Sequence, residues 1–103
     1  MSDEQVIKSM TERIVSTCKP EKVILFGSRA RGEARPDSDI DLFIVTDTPN
    51  TRETAKLIDT LLWNRKTPLD IIVSTPENVE ERMMAGDFFV TEIMSSGRVL
   101  YAR

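Results

Sequence analysis

The chain contains segments with two kinds of apolar spacing, one typical of helices and one typical of buried strands. Apolar residues recur every three or four positions, as in amphipathic helices, in 3–18, 50–62 and 88–96. Short, mostly apolar runs bounded by proline, glycine or polar residues occur at 22–26, 39–45 and 69–73. The alternation of the two kinds indicates an α/β protein, in which helices pack on a small mixed sheet of three to four strands.

Residues that favour helix ends stand at the borders of these segments. Side chains that cap helix N-termini precede three predicted helices, at Ser2, Asn50 and Thr75. Pro76 follows Thr75 at a first helical position, where proline fits a helix well. Gly97 is expected to end the last helix.

Weaker signals predict the remaining elements. We expect a short helix from Ser28, a loop over 32–38 and a short edge strand at 99–101. The chain has 103 residues and contains no repeat, low-complexity tract or linker. Because this length suits one hydrophobic core, we expect a single domain over 1–103.

Three residues of ambiguous role are interpreted as packing residues. Cys18 lies on the apolar face of the first predicted helix, where a small hydrophobic side chain fits the core. Trp63 could stack on a base, but tryptophan is usually largely buried, so we expect it to cover the core. Tyr101 is expected to pack at the edge of the sheet.

The composition excludes several kinds of chemistry. The chain has no histidine, which excludes Ser-His-Asp and Cys-His nucleophiles and imidazole metal ligands. A single cysteine excludes an internal disulfide and a cysteine zinc cluster. The net charge of -3 argues against general nucleic-acid binding. The polar amino terminus and the lack of an apolar stretch of ~20 residues predict a cytoplasmic protein without a signal peptide or membrane span.

Three aspartates interrupt segments that otherwise have the composition of a core. Asp39 and Asp41 belong to one predicted strand and Asp70 to the next. Because residues i and i+2 of a strand lie on one face, about 6.6 Å apart, the first two can converge on a cation, and Asp70 could complete the cluster. An all-oxygen ligand set favours Mg²⁺ or Mn²⁺. Taken alone, Asp39 would be interpreted as a turn residue, and Asp70 could equally be an exposed position on an edge strand. Taken together, the three predict metal-assisted phosphoryl or nucleotidyl transfer.

A glycine-rich turn with phosphate-binding chemistry precedes these aspartates. Gly27 and Gly32 allow tight turns, and Ser28 would present its amide and hydroxyl to an anion if a helix begins there. Arg29 and Arg31 could meet further phosphate charge, although each alone is more often a solvated surface charge. The turn residues are a specific signal for a phosphate site only in this order, followed by Asp39 and Asp41 after a short loop.

These residues resemble the signature of a known enzyme superfamily. Gly27-Ser28, Gly32, Ser38-Asp39-Ile40-Asp41-Leu42 and Leu69-Asp70, in this order, resemble the DNA polymerase beta-like nucleotidyltransferases, and the form Gly-Ser-Arg-Ala-Arg-Gly resembles their minimal nucleotidyltransferase (MNT) branch. The resemblance implies that Asp39 and Asp41 hold Mg²⁺, two ions in all, against a nucleoside triphosphate. It implies that Asp70 binds the second metal or accepts the proton of the attacking hydroxyl. The nucleotide site would comprise Gly27, Ser28, Arg29, Arg31, Gly32 and Ser38.

The resemblance also implies a protein partner. Members of this size resemble antitoxins that bind a HEPN-domain toxin and transfer AMP from ATP to a toxin tyrosine. Our leading hypothesis is that this chain has the same activity. One alternative is a binding module of the same fold that neutralises a partner without chemistry. Another is nucleotidyl transfer to a small molecule such as an aminoglycoside, for which this chain would have to form a homo-oligomer. A docking surface could form from apolar residues that, taken singly, are each expected to pack on the sheet: Phe88, Phe89, Ile93 and Met94.

Overall fold

A mixed four-stranded sheet forms the centre of the protein. The structure is a computed structural model that describes residues 3–63 and 65–103, so the predicted N-cap at Ser2 lies outside it. The elements are α1 (Asp3–Cys18), β1 (Lys22–Phe26), β2 (Ile40–Val45), α2 (Thr51–Leu61), β3 (Leu69–Ser74), α3 (Pro76–Met84), α4 (Phe88–Ser96) and β4 (Arg98–Ala102). The strand order is β3-β2-β1-β4, with β1 antiparallel to β2 and β4, and β2 parallel to β3. The predicted α/β fold with a small mixed sheet is confirmed.

Alternation along β2 divides the core between the two faces of the sheet. Ile40, Leu42 and Ile44 belong to a buried cluster that includes apolar residues of α1 and α2. Phe43 and Val45, on the opposite face, pack with residues of α3 and α4. Because successive residues of a strand point to opposite faces, each face of β2 is buried under its own pair of helices.

Side-chain caps fix the starts of three helices. Asn50 accepts a hydrogen bond from the Glu53 backbone N–H at 3.1 Å, and Thr75 accepts one from the Asn78 N–H at 3.1 Å, as their positions predicted. Asp87 caps α4 in the same way, which the sequence analysis did not identify. None of the helices in the described parts of the chain is long and apolar enough to cross a bilayer.

The predicted short helix from Ser28 is wrong, because the chain makes only one turn there. The Arg31 N–H donates to the Gly27 carbonyl at 3.2 Å, and the Glu33 N–H donates to the Ser28 carbonyl at 2.9 Å. Gly32 then adopts a left-handed φ of 74°, a conformation that ends helices. The segment is therefore a closed turn, and it offers no helix dipole at Ser28.

The expectation that Trp63 covers the core is also wrong, since this residue is 76% exposed. Leu62, which follows the last turn of α2, takes the buried position next to Ile58. Trp63 is the next residue, and its side chain points away from the core. Cys18 and Tyr101 are half-buried against the core, as predicted, and burial raises the pKa of the Cys18 thiol.

The four apolar residues considered for docking divide into two kinds. Phe88 is 79% exposed and Phe89 is 51% exposed. Ile93 is buried and Met94 is half-buried, and both pack on the sheet with α3. The expectation that each would pack on the sheet holds for Ile93 and Met94 and is wrong for Phe88.

Candidate active site

The three aspartates lie near one end of the adjacent strands β2 and β3. Asp41 pairs with Asp70 in the parallel register, so both side chains leave the same face of the sheet. That face is the one opposite Ile40 and Leu42, which are buried under α1 and α2. Asp39 is exposed and lies two residues before Asp41, immediately before β2 begins. The fold therefore brings carboxylates from two neighbouring strands to a common side, as the sequence predicted.

Gly27 lies directly against the carboxylate of Asp41. Phe26, the last residue of β1, pairs with Asp41 across the antiparallel ladder, and Gly27 follows it with a φ of 76°. A Cβ at position 27 would lie 3.2 Å from the Asp41 Cγ and closer still to its Oδ2. Glycine is required here for two reasons, since the backbone is left-handed and the carboxylate fills the space of a side chain.

The acids around Asp41 create a negative charge that the nearby arginines compensate only in part. Partial burial is the main cause that raises the pKa of Asp41 above its ordinary value, and the charges of Asp70 and Asp39 raise it further. Arg31 and Arg29 act in the opposite direction but do not cancel these effects. The ionised form of Asp41 is therefore disfavoured in the protein alone, and a bound cation would relieve this cost.

Two other predicted residues have contacts within the turn and the loop. The Arg31 side chain is 59% exposed and pairs with Glu33 at 2.7 Å. The Ser38 hydroxyl accepts a hydrogen bond from the Arg35 backbone N–H at 2.8 Å, which closes the loop before Asp39. Ser28 lies in the turn between Gly27 and Arg31, and its hydroxyl has no hydrogen bond to any residue that the structure describes.

A pocket of about 260 Å³ adjoins the Gly27 turn. One wall is the turn itself and the other is α4, a helix that the sequence did not connect with the site. The lining residues are Phe26, Gly27, Ala30, Arg31, Phe89, Glu92, Ile93, Ser96 and Gly97. A larger cavity of about 700 Å³ between α1 and β4 contains none of the predicted site residues.

Residues 4–100 match the family model described as "Nucleotidyltransferase domain". The chain belongs to the nucleotidyltransferase domain family. A protein of Methanocaldococcus jannaschii, provisionally named a protein adenylyltransferase, is 32% identical over 103 residues, which cover 98% of this chain and all of that protein. The family resemblance inferred from the motifs is thereby confirmed, and with it the enzyme class.

Solved structures share the fold of this nucleotidyltransferase. A structure provisionally named a minimal nucleotidyltransferase has a TM-score of 0.62 and 26% identity, covering 93% of this chain and 94% of that one. A Sulfolobus solfataricus protein, provisionally named a nucleotidyltransferase, has a TM-score of 0.66 and 21% identity, covering 96% and 79%. A toxin–antitoxin crystallised with AMP-PNP has a TM-score of 0.59 and 17% identity, covering 93% and 73%. The last two similarities establish the fold alone.

The donor chemistry of the nucleotidyltransferase site fits a divalent cation that is shared with phosphate oxygens. Within residues 3–63 and 65–103, no three acidic side chains are gathered into a group that could hold a metal ion by themselves. Mg²⁺ is commonly bound by one or two carboxylates together with substrate phosphates, so it does not need a preformed cage of three acids. The assignment of Asp39, Asp41 and Asp70 as metal ligands stays a prediction.

Arg29 holds the loop that carries the first aspartate. Its side chain is only 5% exposed and pairs with Asp3 of α1 at 2.7 Å. Its guanidinium also donates to the carbonyl oxygens of Ser38, at 2.7 Å, and Asp39, at 3.3 Å. Each of the three guanidinium nitrogens therefore donates a hydrogen bond within the protein. The geometry is that of a positioning residue for the 38–39 loop, a role that the sequence did not indicate, rather than that of a free phosphate contact.

Arg29→Ala is expected to destabilise the nucleotidyltransferase fold by about 1–3 kcal/mol, because two carbonyl groups lose a charged donor in a mostly buried position. Urea unfolding at pH 7 measures this loss. Arg31→Ala is the matched control: its ion pair is solvent-exposed, and we expect a change below about 0.5 kcal/mol. Equal effects of the two substitutions would contradict the positioning role of Arg29.

Proposed function

We propose that this nucleotidyltransferase uses Mg²⁺ and transfers AMP from ATP to a tyrosine hydroxyl of a cognate HEPN toxin, and so acts as an antitoxin. The observation that carries the proposal is the placement of Asp41 between Gly27 of the Gly-Ser turn and Asp70 of the neighbouring strand. Nucleotidyl transfer needs both a turn that binds phosphate and carboxylates that attract a cation. The relative provisionally named a protein adenylyltransferase and the toxin–antitoxin neighbour with AMP-PNP support the choice of donor and acceptor.

In this proposal, each group at the site has one role. Asp39 and Asp41 hold Mg²⁺, which offsets the charge of the triphosphate when bound. The backbone at Gly27 and the hydroxyl of Ser28 bind the phosphates that leave. Asp70 accepts the proton of the attacking hydroxyl. A bond forms between the hydroxyl oxygen and the α-phosphorus, the bond from that phosphorus to the bridging oxygen breaks, and pyrophosphate carries away the electron pair.

A protein acceptor is favoured by an exposed apolar surface at the connection between α3 and α4. Met84 is 82% exposed and Phe88 is 79% exposed, and they flank the short connection between α3 and α4. Large exposed apolar side chains that are close together mark sites of protein contact.

The decisive experiment mixes the purified protein with the product of a neighbouring toxin gene, Mg²⁺ and ATP labelled at either the α- or the γ-phosphate. We expect label on the toxin from α-labelled ATP only, and none with EDTA, with Asp41→Asn or after replacement of the acceptor tyrosine by phenylalanine. Toxin binding without metal-dependent labelling would instead favour a non-catalytic binding module. Labelling of an aminoglycoside but not of the toxin would favour a small-molecule enzyme.

A further inference from the structure

The pocket between the Gly27 turn and α4 lies on a defined side of the candidate active site. The strand order places Asp70 on β3, Asp41 on β2 and the Phe26–Gly27 corner at the end of β1. The pocket begins at that corner and extends toward α4. Asp70 and the pocket are therefore on opposite sides of Asp41.

This placement assigns the pocket to the donor nucleotide. If Asp70 accepts the proton of the attacking hydroxyl, the acceptor approaches from the β3 side. Attacking and leaving oxygens lie roughly in line on opposite sides of the phosphorus during phosphoryl transfer. The leaving pyrophosphate is then on the β1 side, at Gly27, so the donor nucleotide and not the acceptor lies beside the pocket.

The size of the pocket fits a part of a nucleotide. Pockets that enclose whole drug-sized ligands have volumes of roughly 300–1,000 Å³. At about 260 Å³, this one is smaller and is bounded by the turn where the phosphates are expected. A planar ring system inside the pocket, with its phosphates outside at Gly27, matches these dimensions.

The lining chemistry suits a heteroaromatic ring. Phe26 and Phe89 form an edge-to-face pair with ring centroids 5.8 Å apart and an interplanar angle of 88°. Phe89 is 51% exposed, so part of its ring is available for stacking. Glu92 and Ser96, four residues apart on α4, line the same pocket and supply polar groups for the edge of a base.

We propose that this pocket binds the nucleobase of the donor nucleoside triphosphate, with the ring stacked on Phe89 and its polar edge toward Glu92 and Ser96. The inference rests on the proposed function, because it assumes that the triphosphate lies at the Gly27 turn. It adds a binding subsite built by α4, outside the Gly-Ser and aspartate motifs. A specific consequence is that the base and the phosphates are held by different parts of the chain.

Calorimetric titration of the folded protein with ATP and with inorganic tripolyphosphate, both in Mg²⁺ buffer, separates the two parts. Loss of one base–aromatic stack corresponds to roughly a five- to 150-fold weaker Kd. We expect this loss for ATP in Phe89→Ala, with tripolyphosphate binding changed less than about twofold. Phe88→Ala is the matched control, since this neighbouring phenylalanine is exposed and does not line the pocket. It should change neither affinity.

Ser96→Phe provides a second test that adds a side chain rather than removing one. A ring at position 96 fills the pocket and should weaken ATP but not tripolyphosphate. Ser95→Phe, on the side of α4 where the Ser95 hydroxyl bonds the Thr91 carbonyl at 2.8 Å, is its control. A melting curve for each variant verifies that it is folded.

Three results would overturn the pocket assignment. In the first, Phe89→Ala and Ser96→Phe bind ATP as tightly as the unmodified protein, which leaves the proposed function intact. In the second, ATP binding is unchanged but AMP transfer to protein falls, so that the pocket serves the acceptor. In the third, the unmodified protein binds neither ATP nor tripolyphosphate, which overturns the proposed function as well.

Discussion

Asp41→Asn is expected to lower nucleotidyl transfer by at least roughly a thousandfold, while the metal-free protein becomes more resistant to heat. The loss of transfer is expected because the amide keeps the shape of the side chain but not the charge that attracts a cation. The gain in stability is expected because the carboxylate is partly buried and is repelled by Asp70 and Asp39. A rise in melting temperature of about 1–4 °C at pH 7 in EDTA would match this partly exposed position.

The stability difference between Asp41→Asn and the unmodified protein should depend on pH. The pKa of Asp41 is raised in the folded state, so between the ordinary aspartate value and the raised value the folded state binds more protons than the unfolded state. Stability of the unmodified protein therefore falls as pH rises through that range. The advantage of the asparagine variant should be absent in acid, appear as pH rises above about 4, and stay constant at neutral pH.

A control and a metal titration complete the Asp41 experiment. Asp47→Asn removes an exposed carboxylate just beyond the end of β2 and should change neither transfer nor melting temperature. Addition of Mg²⁺ should stabilise the unmodified protein more than Asp41→Asn, because binding to the folded state raises stability. A fall in melting temperature together with the loss of transfer in Asp41→Asn would show that the aspartate supports the fold instead.

Gly27→Ala is expected to reduce transfer by about a hundredfold or more and to destabilise the fold by about 2–4 kcal/mol. A methyl group at this position overlaps the Asp41 carboxylate, which must move away from the place where we expect the cation. The left-handed backbone adds a cost of about 1–2 kcal/mol for any residue with a Cβ. Steady-state transfer assays and urea unfolding measure the two effects separately.

Gly86→Ala separates the cost of the left-handed backbone from the overlap with the Asp41 carboxylate. Gly86 has a similar φ of 81°, but no atom lies within 4 Å of the position that a Cβ would occupy. It should therefore show the cost of the backbone conformation alone and retain full transfer activity. If both variants lose activity to the same extent, the close approach of Gly27 to Asp41 is not important for catalysis.

The elements that the sequence predicted well are those with local causes. Asn50 and Thr75 cap helices through hydrogen bonds that span three residues, and such contacts are visible in the order of residues. The strands were recognisable because each apolar run packs against the core on both faces of the sheet. The shared face of Asp41 and Asp70 followed from the two-residue period of strands once β2 and β3 were neighbours.

The prediction that failed at Ser28, and the contacts that the sequence did not indicate, depend on distant residues or on a single backbone angle. Ser28 has suitable chemistry for a helix start, yet the φ of Gly32 ends the segment after one turn. The position of Arg29 depends on Asp3, which is 26 residues away in the sequence. The role of α4 in lining the pocket depends on how that helix packs beside β1. None of these contacts leaves a periodic pattern in the sequence.

The ion pair between Arg29 and Asp3 connects the first turn of α1 with the candidate active site. Asp3 stands at the first residue of α1, and the ends of helices open and close more readily than their middles. Each opening of that turn releases one of the contacts of the guanidinium that also grips the carbonyl of Asp39. Substitutions that disturb the first turn of α1 are therefore expected to shift the position of Asp39 as well.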